Sequence, residues 1–452
     1  MDIVHTLAYY DLTTMIGHEI VSYGRISQIG DFARYWFIKL RTADCVEDTQ
    51  LVLKKSLLQK PSVYSTIQFK GIVQLSPKTK AIEISVIEIL YYGEFKQDDL
   101  EIEFTMPLSL LRHKESQRLL TKRYQTIMDI YQRTEQYLHQ VSKNLGLMRV
   151  RSPFITFSDC EGGGEVFQVQ SSIPGFFKKP AFLTVSGQVD EETVTSRFMC
   201  PTYIMGPSFR ADPSTTHYHA CEFFHYEPEI PFITLEGLMN LEEKTIKELF
   251  TNLLQDQSVV AGLKLHLNMG IEHLETVTLN EFARISYTDS IKILKKCPEK
   301  FEIEAIWGND LRKEHEKYLC EEHFKRPTFV YGYPSAFKSF YMTQCEPFTD
   351  LDISPDPLQT CEGVDLLVPG IGELCGGSTR EYRYDILVDS MKKKGLDLDE
   401  YKDYLRLRKE GSFPHGGYGL GFDRLIMYIT GTQSIKDICP FPRYFEKVKI
   451  DE

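Results

Sequence analysis

No C-x-x-C pair occurs among the ten cysteines of this 452-residue chain, so a zinc ribbon or zinc finger has no ligand spacing to start from. The thiols are scattered from Cys45 to Cys439, which equally excludes the compact disulfide framework of a small secreted domain. Reduced cysteines in a cytoplasmic protein are the expectation. Nowhere do about eighteen apolar residues run together, and the opening MDIVHTLAYYDLTTMIGHEI holds no basic segment followed by a long apolar one. Neither a membrane span nor a secretory leader is expected. Positive charge is also short: 52 basic residues face 64 acidic ones, a net charge of -12, which leaves no global field for non-specific nucleic-acid binding. Any contact with RNA has to be local. Internal repeats and low-complexity tracts are lacking as well.

What the chain does contain is ordered globular sequence. A hydrophobic content of 42% allows large cores, and the length suggests two or three domains. From 17 to 95 the pattern is short alternating segments, EIVSYGRI, ARYWFIKLR, TQLVLKK, STIQFKGIVQL and AIEISVIEILYY, separated by Gly, Asp, Ser and Pro. Five strands in that order fit an OB barrel. Single-stranded RNA is read by aromatic stacking and by amide edges; Tyr35, Trp36, Phe37 and Gln50 offer such groups. Alternation must send one of Trp36 and Phe37 into the barrel core and the other out. Beyond a polar stretch, Leu120, Tyr124, Ile127, Tyr131, Leu138, Val141 and Leu145 predict one long amphipathic helix stopped at Gly146. Further on, 182–188, 203–210, 225–230, 339–342 and 364–374 read as strands, with helices near 236–256, 288–296 and 309–323.

The most informative stretch is HGGYGLGFDRLIMYITGTQSIKDICPFPR, residues 415–443. Gly416, Gly417, Gly419 and Gly421 let backbone approach a flat ligand, and an amphipathic helix follows that closes at Gly431. Arg424 lies at the junction, where a guanidinium covers a purine ring or pairs with phosphate oxygens. GGYGLG does not follow the G-x-G-x-x-G spacing of a dinucleotide fold. With MRVRSPFITFSDCEGGGEVFQV (148–169) and GPSFRADPSTTHYHACEFFHYEPE (206–229), this segment resembles the three signature motifs of class II aminoacyl-tRNA synthetases, in their aspartyl/asparaginyl subgroup.

The resemblance implies an α+β protein: a class II antiparallel sheet flanked by helices, preceded by an OB-fold β-barrel. It implies an anticodon-binding domain over 1–100, a hinge over 101–125 and a catalytic domain over 126–452. The activity implied is ATP-dependent activation of an amino acid and its transfer to tRNA, by a homodimer with Pro153 at the centre of its interface. Arg210 matches the arginine that bridges the substrate carboxylate and the α-phosphate. Arg424 matches the one that engages the distal phosphates and caps adenine, with Phe223 on the opposite face. His219 and Gly421 belong to the same ATP site, and Asp365 and Glu373 match the carboxylates that hold Mg2+. Arg380 matches the arginine for the substrate side chain, and Glu227 the acidic acceptor found where asparagine is chosen over aspartate. Glu161, Glu165, Ser186 and Gln188 match positions lining the amino-acid pocket, and Phe37 and Gln50 match the anticodon contacts. L-asparagine and tRNA(Asn) are the substrates that this pattern favours.

The chain also departs from the family. Asp212 and Asp423 stand where glutamate is usual, Tyr218 where an arginine precedes the motif 2 histidine, and Ser335 where a lysine is common. The stretch 345–361 is longer and richer in proline. His217, His219 and His225 do not have metal-site spacing. The alternatives are an aspartyl or non-discriminating ligase, a paralogue that binds RNA or nucleotide without aminoacylating, and an ammonia-dependent asparagine synthetase, which would lack the barrel.

Overall fold

The computed structural model describes residues 5, 7, 10–42, 47–103, 106–157, 166–297 and 301–446. It divides into two compact units, Met1–Ile130 with Asp256–Asn268, and Tyr131–Gln255 with Met269–Glu452.

In the first unit, β1 (Glu19–Asp31), β2 (Tyr35–Arg41), β3 (Thr49–Lys54), β4 (Thr66–Leu75) and β5 (Ile82–Gly93) close a barrel in the order β1-β2-β3-β5-β4. The alternating apolar set predicted from the sequence fills it: Ile26, Ile38, Leu40, Leu51, Leu53, Phe69 and Val73 are fully buried. On β2, Trp36 packs against this core and donates Nε1 to the Leu58 carbonyl at 2.9 Å. Its neighbour Phe37 is therefore on the outer face, beside Val52 of β3. The polar stretch before the long helix is not featureless. It forms single helical turns at Leu108–Leu111 and Glu115–Arg118, with Leu108 and Leu111 buried in the first unit. The helix α1 spans Lys122–Asn144, and Gly146 after it takes a positive φ of 77°.

The second unit is built on an eight-stranded sheet. Its strands are β6 (Met148–Arg149), β7 (Thr202–Phe209), β8 (Glu222–Pro231), β9 (Ala283–Ser286), β10 (Thr328–Tyr331), β11 (Gly363–Val368), β12 (Gly372–Arg380) and β13 (His415–Gly421). They lie in the order β9-β10-β11-β12-β13-β8-β7-β6. The interior pairings are antiparallel; the two outermost, β6 with β7 and β9 with β10, are parallel. Three strand expectations change. Residues 364–374 form a hairpin rather than one strand, because Gly370 and Gly372 take positive φ of 82° and 80°. Residues 182–188 stop being a strand at Leu183, and Gln188 already opens the helix α2 (Gln188–Phe198). Residues 339–342 make only an isolated bridge, Met342 to Arg380. The long stretch 345–361 folds into a two-stranded hairpin, Phe348–Asp350 with Ser354–Leu358.

Helix α3 (Leu235–Gln255) buries Leu238, Met239, Ile246, Leu249, Phe250 and Leu253 at helical spacing, and packs on β11, β12 and β13. Helix α4 (Gln257–His266) belongs to the first unit, and its cap Asp256 accepts from Ser258 N at 2.9 Å. Two further helices, α5 (Lys402–Lys409) and α6 (Phe422–Thr430), complete the surroundings of the site, and α6 ends at Gly431 with φ 67° as the sequence predicts.

One buried group on α3 costs the fold stability. Glu242 is 1% exposed, its Oε1 has no hydrogen-bond partner among the described residues, and burial pushes its carboxyl up to about 8 against a smaller lowering effect of Cys375. Above the ordinary carboxylate range the unfolded chain gives up this proton while the folded chain keeps it. Stability is thus fully present below about 4.5 and is lost progressively as pH rises toward 8. Glu242→Gln cannot ionise, so its unfolding free energy should exceed that of the wild type by a margin growing between pH 5 and 8, on the order of 3 kcal/mol at pH 7, with a melting temperature that rises accordingly. Scanning calorimetry across that range checks it; a margin independent of pH contradicts the buried-proton account.

Candidate active site

A cavity of about 470 Å3 opens in the second unit. Ser186, Gln188, Arg210, His219, Phe223, Glu227, Asp365, Glu373, Arg380, Gly421 and Arg424 all line it, although they come from positions almost 240 residues apart. Glu161 and Glu165 lie outside the described residues.

At one end the chemistry is acidic and is organised by a single guanidinium. Arg380, the last residue of β12 and 4% exposed, reaches across β13 to Glu229 on β8. Its Nε lies 3.1 and 3.2 Å from the two carboxylate oxygens, Nη2 lies 2.8 Å from Oε2, and Nη1 donates to Ser378 Oγ at 2.8 Å. The strand being crossed has glycine at the crossing point. A Cβ on Gly417 would sit 2.2 Å from Glu229 Oε2, 2.3 Å from Pro228 O and 2.9 Å from Arg380 Nη2. This corrects the reading of the glycine run as a whole. Gly417 makes room for an ion pair, and Gly416 for close strand packing, with Ser378 O only 3.0 Å from its would-be Cβ. Gly419 and Gly421 do line the cavity, where a Cβ would meet nothing nearer than 3.9 and 3.6 Å.

Two residues before Glu229 on the same face of β8, Glu227 accepts from the Ser186 hydroxyl and from Gly187 N at 3.1 Å. Gln188 donates its amide to Glu192 at 2.8 Å. Glu192 is fully buried and also receives Arg408 Nη2 at 2.7 Å, His415 Nε2 at 3.0 Å and the Tyr404 hydroxyl at 3.0 and 3.1 Å. Burial alone would raise its carboxyl, but Arg408 and His415 hold it below the ordinary range.

The other end is cationic. Arg210 follows β7, with its guanidinium 5.6 Å from the centre of the Phe223 ring. Phe223 stands edge-on to His225 at 4.7 Å. Burial, with Arg210 and Arg424 nearby, keeps the His225 imidazole well below its usual value and neutral, next to Ser208 Oγ at 3.0 Å. His219 is depressed by burial and then by Arg424, and its Nδ1 lies 2.8 and 2.6 Å from the hydroxyls of Ser214 and Thr216. Arg424, in the first turn of α6, donates to the Glu373 carbonyl at 3.1 Å and lies 3.7 Å from its carboxylate. Asp423 accepts from Phe224 N at 3.1 Å, and burial pushes its carboxyl up to about 7.

Asp365 and Glu373 converge over Gly376, whose would-be Cβ lies 3.4 and 3.3 Å from their oxygens. Lys338 donates to Asp365 at 2.7 Å. Burial opposes ionisation of Glu373, but Arg424, Lys338, Lys313 and Arg210 together hold it below the ordinary range, whereas burial, with Glu373 close by, holds Asp365 above it. Among the described residues no three His, Cys, Asp or Glu side chains form a metal site. Two carboxylates converging over a glycine in a cationic pocket do suit Mg2+, which takes one or two carboxylates and completes its shell with phosphate and water.

Several residues of the site are not among the sequence expectations. Glu229 was detectable, since the E-P-E spacing places it on the same strand face as Glu227. Lys338 carries no local signal and becomes meaningful only once β11 brings Asp365 to it. Tyr218, which stands where the family pattern has arginine, donates to Gly370 O at 3.3 Å, and Lys313 Nζ lies 4.7 Å from its ring centre. A cation is thus present at that rim from a different part of the chain. In the barrel, Gln50 donates to Glu83 at 2.9 Å, and Glu83, 3% exposed, also receives Gln74 at 3.0 Å. Pro153 is exposed beside Phe154 and Phe157, which are 51% and 53% exposed.

Comparison with known proteins agrees with this geometry. The family model described as tRNA synthetases class II (D, K and N) matches residues 108–444. An asparagine–tRNA ligase of Desulfotalea psychrophila is 36% identical over 433 residues, 92% of each chain. One from Idiomarina loihiensis is 36% identical over 438 residues, 90% of this chain and 91% of its own. Among solved structures, asparaginyl-tRNA synthetase from Pyrococcus horikoshii complexed with asparaginyl-adenylate aligns with a TM-score of 0.81 at 27% identity, covering 98% of this chain and 99% of that one. The chain belongs to the class II tRNA synthetase family of the aspartate, lysine and asparagine enzymes.

Proposed function

We propose that the protein is an asparagine–tRNA ligase, joining L-asparagine to ATP as asparaginyl-adenylate and then passing the asparaginyl group to tRNA(Asn). The observation that carries this reading is that one cavity joins a cationic, aromatic end to an acidic end ordered by Arg380. In the first step an oxygen of the asparagine α-carboxylate attacks the α-phosphorus of ATP, and the bond to pyrophosphate breaks. Arg210, which lines the cavity, neutralises both the incoming carboxylate and the α-phosphate. Arg424 binds the distal phosphates, and adenine lies between its guanidinium and the Phe223 ring. Asp365 and Glu373 would hold Mg2+, which neutralises phosphate charge when bound. In the second step a hydroxyl of the terminal tRNA ribose attacks the activated carbonyl and AMP leaves.

For the amino acid, Arg380 offers its guanidinium to the side-chain oxygen, and Glu227 accepts from the amide N–H. Aspartate would bring a second negative charge against Glu227, which is the physical basis of discrimination. The barrel of residues 1–100 would bind the anticodon: Phe37 is available for stacking on its outer face, and Gln50 is held by Glu83 for edge recognition. Residues 101–125 are the connecting stretch and 126–452 the catalytic part. The apolar exposure around Pro153 suits a homodimer, and a cytoplasmic location agrees with the scattered thiols.

The direct test of the function is pyrophosphate exchange measured separately with asparagine and aspartate: exchange with asparagine in clear excess is expected, and equal exchange would point to a non-discriminating ligase. Arg424→Ala should lower asparagine-dependent exchange by about 100- to 1,000-fold, the scale for loss of one charge-stabilising group, with an unchanged circular dichroism spectrum. Normal exchange in that variant would remove Arg424 from the phosphate site. Phe37→Ala should weaken tRNA charging by about 1–3 kcal/mol while leaving exchange without tRNA intact. Equal loss of both activities would instead assign Phe37 to barrel stability.

A further inference from the structure

The acidic end of the cavity and helix α2 beside it hold more carboxyl groups than the cations there neutralise, with Glu191, Glu227 and Glu229 lining the cavity itself. Helix α2 contributes Glu191 and Glu192, and β8 contributes Glu227 and Glu229. Each but one has donors suited to a charged carboxylate. Glu192 is satisfied by Arg408 of α5 and His415 of β13, and Glu229 by the bidentate Arg380 of β12. Glu227 has a hydroxyl and a backbone N–H. Glu191 is 1% exposed and lines the cavity, yet its contact is a neutral one, the Thr202 hydroxyl of β7 at 2.9 Å from Oε1. That hydroxyl lies 2.6 Å from Thr195 Oγ1, so the pair of threonines can donate to or accept from Glu191 equally well. Among the described residues no Lys, Arg or His forms an ion pair with it. A buried carboxyl without a cation keeps its proton. Burial and then Glu229 and Glu227 raise Glu191 well above the ordinary carboxylate range, against a smaller opposing effect of Thr202 and Arg380.

An amino-acid substrate supplies the missing charge. We propose that Glu191 carries a proton in the empty pocket and gives it up when the α-ammonium of asparagine enters, so that amino-acid binding and proton release are coupled. The inference rests on the asparagine–tRNA ligase reading and adds a binding residue to it. In the loaded pocket the ionised Glu191 is the counter-ion of the substrate ammonium, and the released proton passes to solvent. The empty pocket avoids a concentration of like charge, while the loaded one gains a charge-assisted contact.

Isothermal titration calorimetry tests this. Asparagine is titrated into the full-length protein near pH 7 in phosphate and in Tris, whose ionisation enthalpies differ widely. The wild-type enthalpies should differ between the buffers by the amount due to release of close to one proton per asparagine. Glu191→Gln preserves the shape of the side chain but has no proton to release. Its binding enthalpy should become independent of buffer and its Kd for asparagine should rise by about tenfold or more, with the Kd for ATP unchanged as a check of the fold. A buffer-independent enthalpy in the wild type would overturn the proposal without recourse to any variant. Undiminished proton release in Glu191→Gln would also overturn it, pointing to Glu227 or Glu229. Binding of asparagine without proton release leaves the ligase reading standing, whereas absence of both binding and exchange would overturn the two together.

Discussion

The buried pair between Arg380 and Glu229 is the constraint to which the rest of the catalytic unit is fitted. Removing a guanidinium and a carboxylate from water costs several kcal/mol per ion, a cost offset only by close and directional hydrogen bonds. Here the partners extend from the two strands that flank β13, and β13 can pass beneath them only because position 417 has no side chain. The glycine motif is thus partly an electrostatic requirement. The strand must be flat where ions cross it, and further along, at Gly419 and Gly421, it must be flat where a ligand lies.

From this pair the cavity takes its polarity. Acidic groups gather where an amino acid would present its ammonium and its amide, and cationic groups gather where phosphates would lie. Arg210 lines the same cavity beside Phe223, on the cationic side from which a phosphate would be neutralised. The carboxylates of Asp365 and Glu373 are placed inside the cationic half and not the acidic one, so they can share a divalent ion with phosphate while Lys338, Arg424 and Lys313 keep Glu373 ionised. Replacement of one rim arginine by Tyr218 leaves that half cationic, because Lys313 occupies the space beyond its ring.

Much of this was legible in the sequence, for identifiable reasons. The barrel strands follow from period-two alternation, and α1 and α6 from helical spacing that ends in Gly146 and Gly431. Arg210, Phe223, Glu227, Glu373, Arg380 and Arg424 were found through motif resemblance and converge on one cavity. Local patterns could not show which carboxylate holds Arg380, because that depends on β13 lying between β8 and β12. Nor could they show that 364–374 turns back on itself, since a run of apolar residues reads the same in one strand as in a hairpin until the positive φ of Gly370 and Gly372 is known. Lys338, Lys313 and Glu191 acquire meaning only from partners distant in sequence.

Glu229, by orienting Arg380, is expected to build the amino-acid end of the cavity independently of the nucleotide end. Steady-state exchange kinetics of Glu229→Gln measure it most directly. Because a guanidinium left without its charged partner costs about 2–5 kcal/mol in comparable buried pairs, the KM for asparagine should rise by tenfold or more while the KM for ATP stays at its wild-type value. An unchanged KM for asparagine, or an equal rise in both constants, would contradict the account.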